Sequence, residues 1–247
     1  MNVKISLITI SFNAVNSIQR CMDSVFNQTY PHVEYIVVDG NSSDGTRQLI
    51  SQNAANIHFF KSEPDRGIYD AINKGISYAT GDVIGVLHAD DYFANPNVLS
   101  EIAALFALNE ADLLYADLDY VNGKGKLVRR WRSGNYDRKK FRWGWMPPHP
   151  TCYVKRNLFE DWGGYDPVYG TAADYELMLR FMYVKAAKVS YLNKVIVKMT
   201  TGGVSNRSLE NRVKAWQNDF RAMKDHKLSN PLVGVMLKPL RKVVQFI

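Results

Sequence analysis

Cysteine is scarce in this chain. Cys21 and Cys152 are the only two among 247 residues, and they lie far apart. Such a pair offers neither a disulfide framework nor zinc-ligand spacing, and a reducing compartment fits it. No apolar run approaches the ~20 residues that a membrane-spanning helix needs. Met1-Asn2-Val3-Lys4-Ile5-Ser6 runs straight into a strand pattern without the basic and apolar regions of a secretion signal, so a cytoplasmic protein is expected. The first strand is followed by Asn13-Ala14-Val15-Asn16 in place of G-x-G-x-x-G, which argues against a nicotinamide-dependent dehydrogenase. No linker, internal repeat or low-complexity tract divides the sequence. Its 46% hydrophobic and 12% aromatic content is that of a globular protein able to bury a sizeable core.

Acids are missing in two places. Between Val121 and Arg142, Lys124, Lys126, Arg129, Arg130, Arg132, Arg138, Lys139, Lys140 and Arg142 face a single acid, Asp137, which exceeds the net +7 of the whole chain. After Asp225 no acid occurs, whereas Lys227, Lys238, Arg241 and Lys242 do. Each basic residue alone suits a solvated surface, but the asymmetry points to an anionic partner: nucleic acid, a phosphorylated substrate or an acidic membrane face.

The first half alternates strand and helix. Strands are expected at Ile5 to Ile10, Val33 to Val38, Ile57 to Phe60 and Val83 to Leu87. Ile18, Cys21, Met22, Val25 and Phe26 fall on one helical face, Asp44 or Thr46 caps a second helix, and Ile68 to Tyr78 forms a third. This alternation predicts a parallel sheet with helices on both faces, whose ligands bind beyond the carboxyl ends of the strands. Asp39 and the pair Asp90-Asp91 stand at such ends, with His88 just before the pair. Carboxylates there are costly to desolvate alone and suit a hard divalent cation.

A helix from Asn97 to Leu108 and a strand from Asp112 to Tyr120 follow. Asn122-Gly123 then marks a hairpin, and a basic loop rich in tryptophan runs from Trp131 to Pro150. A strand at Cys152 to Val154, a Gly163-Gly164 turn and a helix from about Ala172 to Tyr183 complete the pattern. From Leu232 to Ile247 the pattern is amphipathic, with Lys238, Arg241 and Lys242 on one face. Pro239 predicts two short helices there, either docked on the domain or lying on a membrane with the basic face toward anionic headgroups.

The chain resembles a family 2 glycosyltransferase of the GT-A type. Ser6 to Asn13 is similar to that family's opening strand and loop, and Val37 to Thr46 to its nucleotide-contacting second strand. Glu63 to Gly75 with Ala79 to Asp82 matches the helix leading to the metal strand. His88-Ala89-Asp90-Asp91 stands at the Asp-x-Asp motif, with His88 replacing the first aspartate. His149-Pro150, Gly163 to Asp166 and Ala172 to Leu177 resemble the acceptor half, especially in enzymes of bacterial O-antigen and exopolysaccharide assembly. The resemblance covers roughly residues 3–205.

It implies an α/β, Rossmann-like, mostly parallel sheet, with a nucleotide-sugar half over 1–120, an acceptor half over 121–205 and a basic helical tail over 206–247. It further implies an inverting transferase that uses Mg²⁺ or Mn²⁺ and moves a sugar from a nucleoside diphosphate, with a leaning to UDP. The acceptor would be a saccharide or a polyprenyl-diphosphate-linked saccharide at the inner face of the cytoplasmic membrane. Asp174 would be the general base. Asp90, Asp91 and His88 would form the metal shell, although His88 could equally be a packed strand-end residue. Thr9, Asn13, Asp39, Asp65, Arg66 and Asp90 would hold the nucleotide sugar. Trp143, His149, Trp162 and Gly164, with Trp145 and Tyr165, would line the acceptor cleft. Two other readings are a nucleic-acid-binding module, which leaves Asp39, Asp90, Asp91 and Asp174 unexplained, and an inactive glycosyltransferase-like binding protein, suggested by His88.

Overall fold

The computed structural model describes residues 2–108, 111–201, 209–243 and 245. Its centre is a sheet whose strands are buried on both faces and rich in Val, Ile and Leu, as parallel strands covered by helices are. β1 (Ile5–Ser11), β2 (Val33–Asp39), β3 (Phe59–Ser62) and β4 (Val83–His88) lie in the order β3-β2-β1-β4, all parallel. The chain thus winds outward from β1 to β3 and returns to β4 on the other side of β1. That reversal opens a crevice between the ends of β1 and β4, the usual ligand site of such sheets. α1 (Ile18–Phe26), α2 (Thr46–Gln52) and α3 (Ile68–Tyr78) make the crossovers.

Strand alternation divides the core. Ile5 and Leu7 of β1 pack with Ile18, Cys21 and Met22 of α1, whereas Ile8 and Ile10 pack with Ala71 and Ile72 of α3. β5 (Tyr92–Phe93) and α4 (Val98–Leu108) follow β4. Beyond β4 come β8 (Tyr153–Lys155), β6 (Leu113–Val121) and β9 (Val189–Thr200), and β5 closes the edge. β6 and β9 run with β4; β8 and β5 oppose their neighbours, and β7 (Leu127–Trp131) opposes β6. The sheet is therefore mostly co-directional, as expected. Gly85 is required where β4 meets β8, because a side chain there would occupy the Tyr153 ring.

Four local expectations need correction. β3 starts two residues late because a 3₁₀ turn at Ala54–Asn56 takes up the preceding chain before Phe59 pairs with Ile36. The hairpin forms, but not as a two-residue Asn-Gly turn. Asn122 Oδ1 accepts from the Lys124 and Lys126 amides, and Gly125 adopts the positive φ of 76°. The expected helix at 172–183 is α6 (Ala173–Met178) continued by a wider π turn, Leu179–Val184, after α5 (Arg156–Trp162).

The fourth correction concerns the tail. α7 (Leu209–Asp225) is followed by α8 (Pro231–Val243), one helix through Pro239 where two were expected. Contacts on both sides of the proline hold it: Gly234 packs on Met223, Lys238 Nζ meets Asp219 Oδ1 at 2.5 Å, and Arg241 Nε donates to the Trp143 carbonyl. Of the expected basic face, Lys238 and Arg241 turn toward the domain, and the Lys242 side chain lies outside what is described. The Lys238 side chain is 16% exposed and lies 3.9 Å from the centre of the Tyr175 ring. α7 also supplies Ala222 and Met223 to the main core. The boundary drawn at 205/206, and Val244 and Ile247 of the amphipathic stretch, lie outside the described residues.

At the opposite end from the crevice, Glu34 ties β1, β2 and the α3–β4 turn together. Its carboxylate accepts from Lys4 Nζ, Ser6 Oγ and both the amide and hydroxyl of Thr80. Burial raises its pKa, but these four bonds outweigh burial and bring it from 4.5 to about 2. A depressed carboxyl pKa stabilises the fold fully above the ordinary value and loses that contribution as pH falls through the folded one. Glu34→Gln should therefore cost about 1–3 kcal/mol at neutral pH. In urea titrations the gap from wild type should narrow between pH 4.5 and about 2; a gap unchanged with pH would refute the assignment.

Candidate active site at the β1–β4 crevice

Asp39 ends β2 and is fully buried. Its Oδ1 accepts from Ser11 Oγ at 2.9 Å and Ser42 Oγ at 2.5 Å, and its Oδ2 accepts from the Ser42 amide and Ser62 Oγ at 2.7 Å. It thus clasps the ends of β1, β2 and β3. Thr9 differs from expectation. It shares the α1-facing side of β1 with Ile5 and Leu7, is fully buried, and bonds Tyr35 Oη at 3.1 Å. Asn13, with φ of 48°, pins the loop after β1 to the loop after β2 through the Ser43 amide and Ser42 hydroxyl.

The open corner beside this clasp is Gly40. A side chain there would meet Asp65 Oδ2 and the Phe12 ring, so both approach its backbone closely. Asp65 accepts the Gly67 amide, and the Arg66 side chain is 90% exposed at the mouth, bonded to Asp70. Phe12 is 66% exposed. It was not singled out in the sequence, where it fell within the Ser6 to Asn13 stretch beyond the expected strand.

At the end of β4, Asp90 is exposed and Asp91 is buried. Asp90 Oδ1 accepts from Ser17 Oγ at 2.7 Å. Its carbonyl accepts from Thr200 Oγ1 at 2.7 Å and Arg20 at 3.2 Å, while Arg20 also donates to Thr200 Oγ1 and lies over Tyr92. Asp91 accepts the Thr200 amide, and its other oxygen is buried without a partner among the described residues. Burial raises its pKa, the Thr200 amide opposes, and the charge of Asp90 adds to bring it to about 8. Arg20 and Thr200 escaped the sequence reading because they meet only in three dimensions.

His88 points from β4 to the C-terminal half of the chain, on the same side as Ile84 and Val86. Its Nε2 is 2.8 Å from His149 Nε2, with the rings edge to face. Burial, with His149 second, lowers the His88 pKa to about 3 although Asp90 and Asp174 pull it up; burial lowers that of His149 to about 4. Both rings are neutral at neutral pH, so one Nε2–H donates to the other ring.

From His149 a line of rings leads to Asp174. Tyr165 lies edge-on to His149 at 6.3 Å, and Tyr69 stacks on Tyr165 at 5.5 Å. The Tyr69 hydroxyl donates to the Thr171 carbonyl at 3.5 Å and feels the charge of Asp174. Burial and then the Asp174 charge raise the Tyr69 pKa. Asp174 occupies the first turn of α6, where the helix dipole favours a carboxylate.

The other expected acceptor residues lie elsewhere. Trp143 contacts α8 through its carbonyl, Trp162 packs edge-on against Phe181, and Trp145 is buried against Phe141 and Tyr115. Gly164 gives room for Asn73, whose side chain bonds both the amide and carbonyl of Tyr165. Gly164 thus acts through Tyr165, which is in the ring line.

No preformed cluster of three or more His, Cys, Asp or Glu able to hold a cation exists among the described residues. The donors still fit Mg²⁺ or Mn²⁺ bound with a substrate, since such ions take one or two carboxylates and complete their shell with phosphate and water. Asp90 supplies an exposed carboxylate, Asp91 a second one behind it, and the His88 ring is already engaged with His149.

Comparison with known proteins agrees with this geometry. The family model "Glycosyl transferase family 2" matches residues 6–162. An uncharacterized glycosyltransferase of Mycobacterium tuberculosis is 31% identical over 246 residues, covering 93% of this chain and 86% of its own. A PGL/p-HBAD biosynthesis glycosyltransferase of Mycobacterium bovis is 29% identical over 81% of this chain and 78% of its own. Among solved structures, TarS of S. aureus in complex with UDP-GlcNAc aligns with a TM-score of 0.71 at 20% identity, over 90% of this chain and 66% of that one. The mannosyltransferase PcManGT of Pyrobaculum calidifontis, in complex with GDP-Man and Mn²⁺, aligns with a TM-score of 0.67 at 16% identity, over 97% and 69%. The fold is thus that of GT-A glycosyltransferases, and the chain belongs to glycosyltransferase family 2.

Proposed function

We propose that the protein is an inverting, metal-dependent transferase that moves a sugar from a nucleoside diphosphate, UDP in our reading, to a hydroxyl group. The acceptor is a saccharide or polyprenyl-diphosphate-linked saccharide of surface polysaccharide assembly, met at the cytoplasmic face of the membrane. One observation carries this reading: at the sheet's switch point the end of β4, which leads into the exposed Asp90, meets the C-terminal half of the chain through the 2.8 Å contact of His88 with His149. The complexes of TarS and PcManGT support the donor class.

On this reading Phe12 stacks on the base and Asp65 and Arg66 reach the base, ribose or phosphate from the mouth. Asp39 sets the position of that corner by clasping the strand ends. Asp90, with Asp91 behind it, holds the cation, which when bound neutralises charge on the leaving diphosphate. Asp174 takes the proton of the attacking hydroxyl, and Tyr69 orients its carboxylate. One direct displacement inverts the anomeric centre. A second reading, a nucleotide-sugar-binding protein without transferase activity, draws on the neutral His88 in place of a carboxylate. UDP-sugar hydrolysis with and without Mn²⁺ separates the two.

Asp90→Ala should abolish transfer and weaken nucleoside diphosphate binding while the circular dichroism spectrum stays unchanged, because the side chain is exposed at a strand end. Retention of most activity in excess Mn²⁺ would show the metal assignment to be wrong.

Asp174→Asn should leave donor affinity near wild type and lower the transfer rate about 10²-fold or more, as loss of a general base does. If calorimetry shows donor affinity falling as steeply as the rate, Asp174 belongs to the nucleotide pocket and not to the base role.

A further inference from the structure

The face of α8 turned away from the domain is apolar. Leu232, Met236 and Leu240, four residues apart along one stripe, are 67%, 72% and 60% exposed, and Val233 beside them is 38% exposed. The opposite face docks through Gly234, Lys238 and Arg241. The helix therefore turns its glycine and cations inward and its large apolar side chains outward, the inverse of a surface helix. A row of such side chains kept in water marks a contact surface.

Charge indicates what covers it. The 3₁₀ turn Arg138–Trp143 packs along α8, and its Arg138, Lys139 and Arg142 are exposed. Its Trp143 indole is 49% exposed. The stretch from His226 to Ile247 has no acid. Aliphatic side chains exposed on α8, with an indole and cations exposed on the turn packed against it, match an anionic bilayer: aliphatic side chains enter the acyl boundary, indole takes the headgroup level and cations meet phosphates. A second copy fits less well. A two-fold contact through this ridge sets each Arg138–Arg142 cluster near the ridge of its mate, gathering like charge with no acid on α8 to offset it. Among the described residues no helix is long and apolar enough to cross a membrane, so the contact is one of lying on the surface.

We propose that α8 is an interfacial docking helix that seats the protein on an anionic lipid bilayer, with Leu232, Met236 and Leu240 inserted and Arg138, Lys139 and Arg142 on the headgroups. This deepens the reading of a membrane-borne acceptor, but its test needs no acceptor. The full chain is sedimented with vesicles of phosphatidylcholine alone or mixed with phosphatidylglycerol, at low and high salt. Wild type should bind the mixed vesicles and keep part of that binding at high salt, because insertion is apolar. Met236→Glu with Leu240→Glu should weaken binding at least tenfold, with unchanged melting temperature and UDP-sugar hydrolysis. Lys139→Glu with Arg142→Glu should instead remove the preference for the anionic lipid. Wild type that ignores mixed vesicles overturns the proposal, as does binding indifferent to the Met236 and Leu240 changes. A lipid-indifferent dimer dissolved by those changes overturns it too and assigns the ridge to a second copy. Absence of hydrolysis in wild type, with vesicle binding intact, would count against the transferase reading alone.

Discussion

The Asp39 carboxylate is the constraint on which the crevice depends. A buried carboxyl group without partners is expensive, so its position is dictated by the donors that reach it. Here those donors come from Ser11 at the end of β1, Ser42 in the loop after β2 and Ser62 at the end of β3. Three strand ends are therefore brought to one level, and the loops leaving them carry Phe12, Gly40 and Asp65 to the same corner. The parallel register between β1 and β4 then sets His88 opposite Ile10, which delivers Asp90 to the other lip of the crevice. A shift at Asp39 would move both lips.

The second lip is held differently. Arg20, from α1, and Thr200, from the end of β9, both bond the Asp90 carbonyl, so the backbone of Asp90 is fixed while its carboxylate stays exposed. Asp91 anchors the same turn from below through the Thr200 amide. One turn thus holds an exposed acid and a buried one, and the division of labour follows from burial alone.

Much of this was legible in the sequence because the nucleotide half is built from local periodicity. α3 has the bounds its apolar spacing predicts, and β1, β2 and β4 differ by a residue. Asp39 and Asp90 were located correctly at strand ends, since strand ends are readable; which way each side chain turns was not. Thr9 was misread because its face follows from the strand's alternation against α1, where Cys21 and Tyr35 leave a polar atom within reach. The surroundings of Trp143, Trp145 and Trp162 could not be read either: the pattern gives no sign that Trp145 is buried while Trp143 is half exposed. α8 failed on tertiary grounds. Its amphipathic pattern was visible, but Asp219 and the Trp143 carbonyl draw its cations inward, and no periodicity reveals that.

The neutral His88–His149 contact gives the crevice its last property. Where an aspartate would add a second exposed negative charge, the ring bonds inward to the acceptor half and stays uncharged. With Asp91 enclosed, Asp90 is the carboxylate that β4 offers to solvent. One carboxylate provides too few ligands for a hard divalent ion, whose remaining oxygens must come from water or from a diphosphate. On the proposed reading, cation and donor therefore bind as a coupled pair, each raising the affinity for the other by the same factor. The ring line from His149 through Tyr165 and Tyr69 to Asp174 then joins that coupled site to the base. One imidazole contact thus sets β4 against the turn that precedes β8.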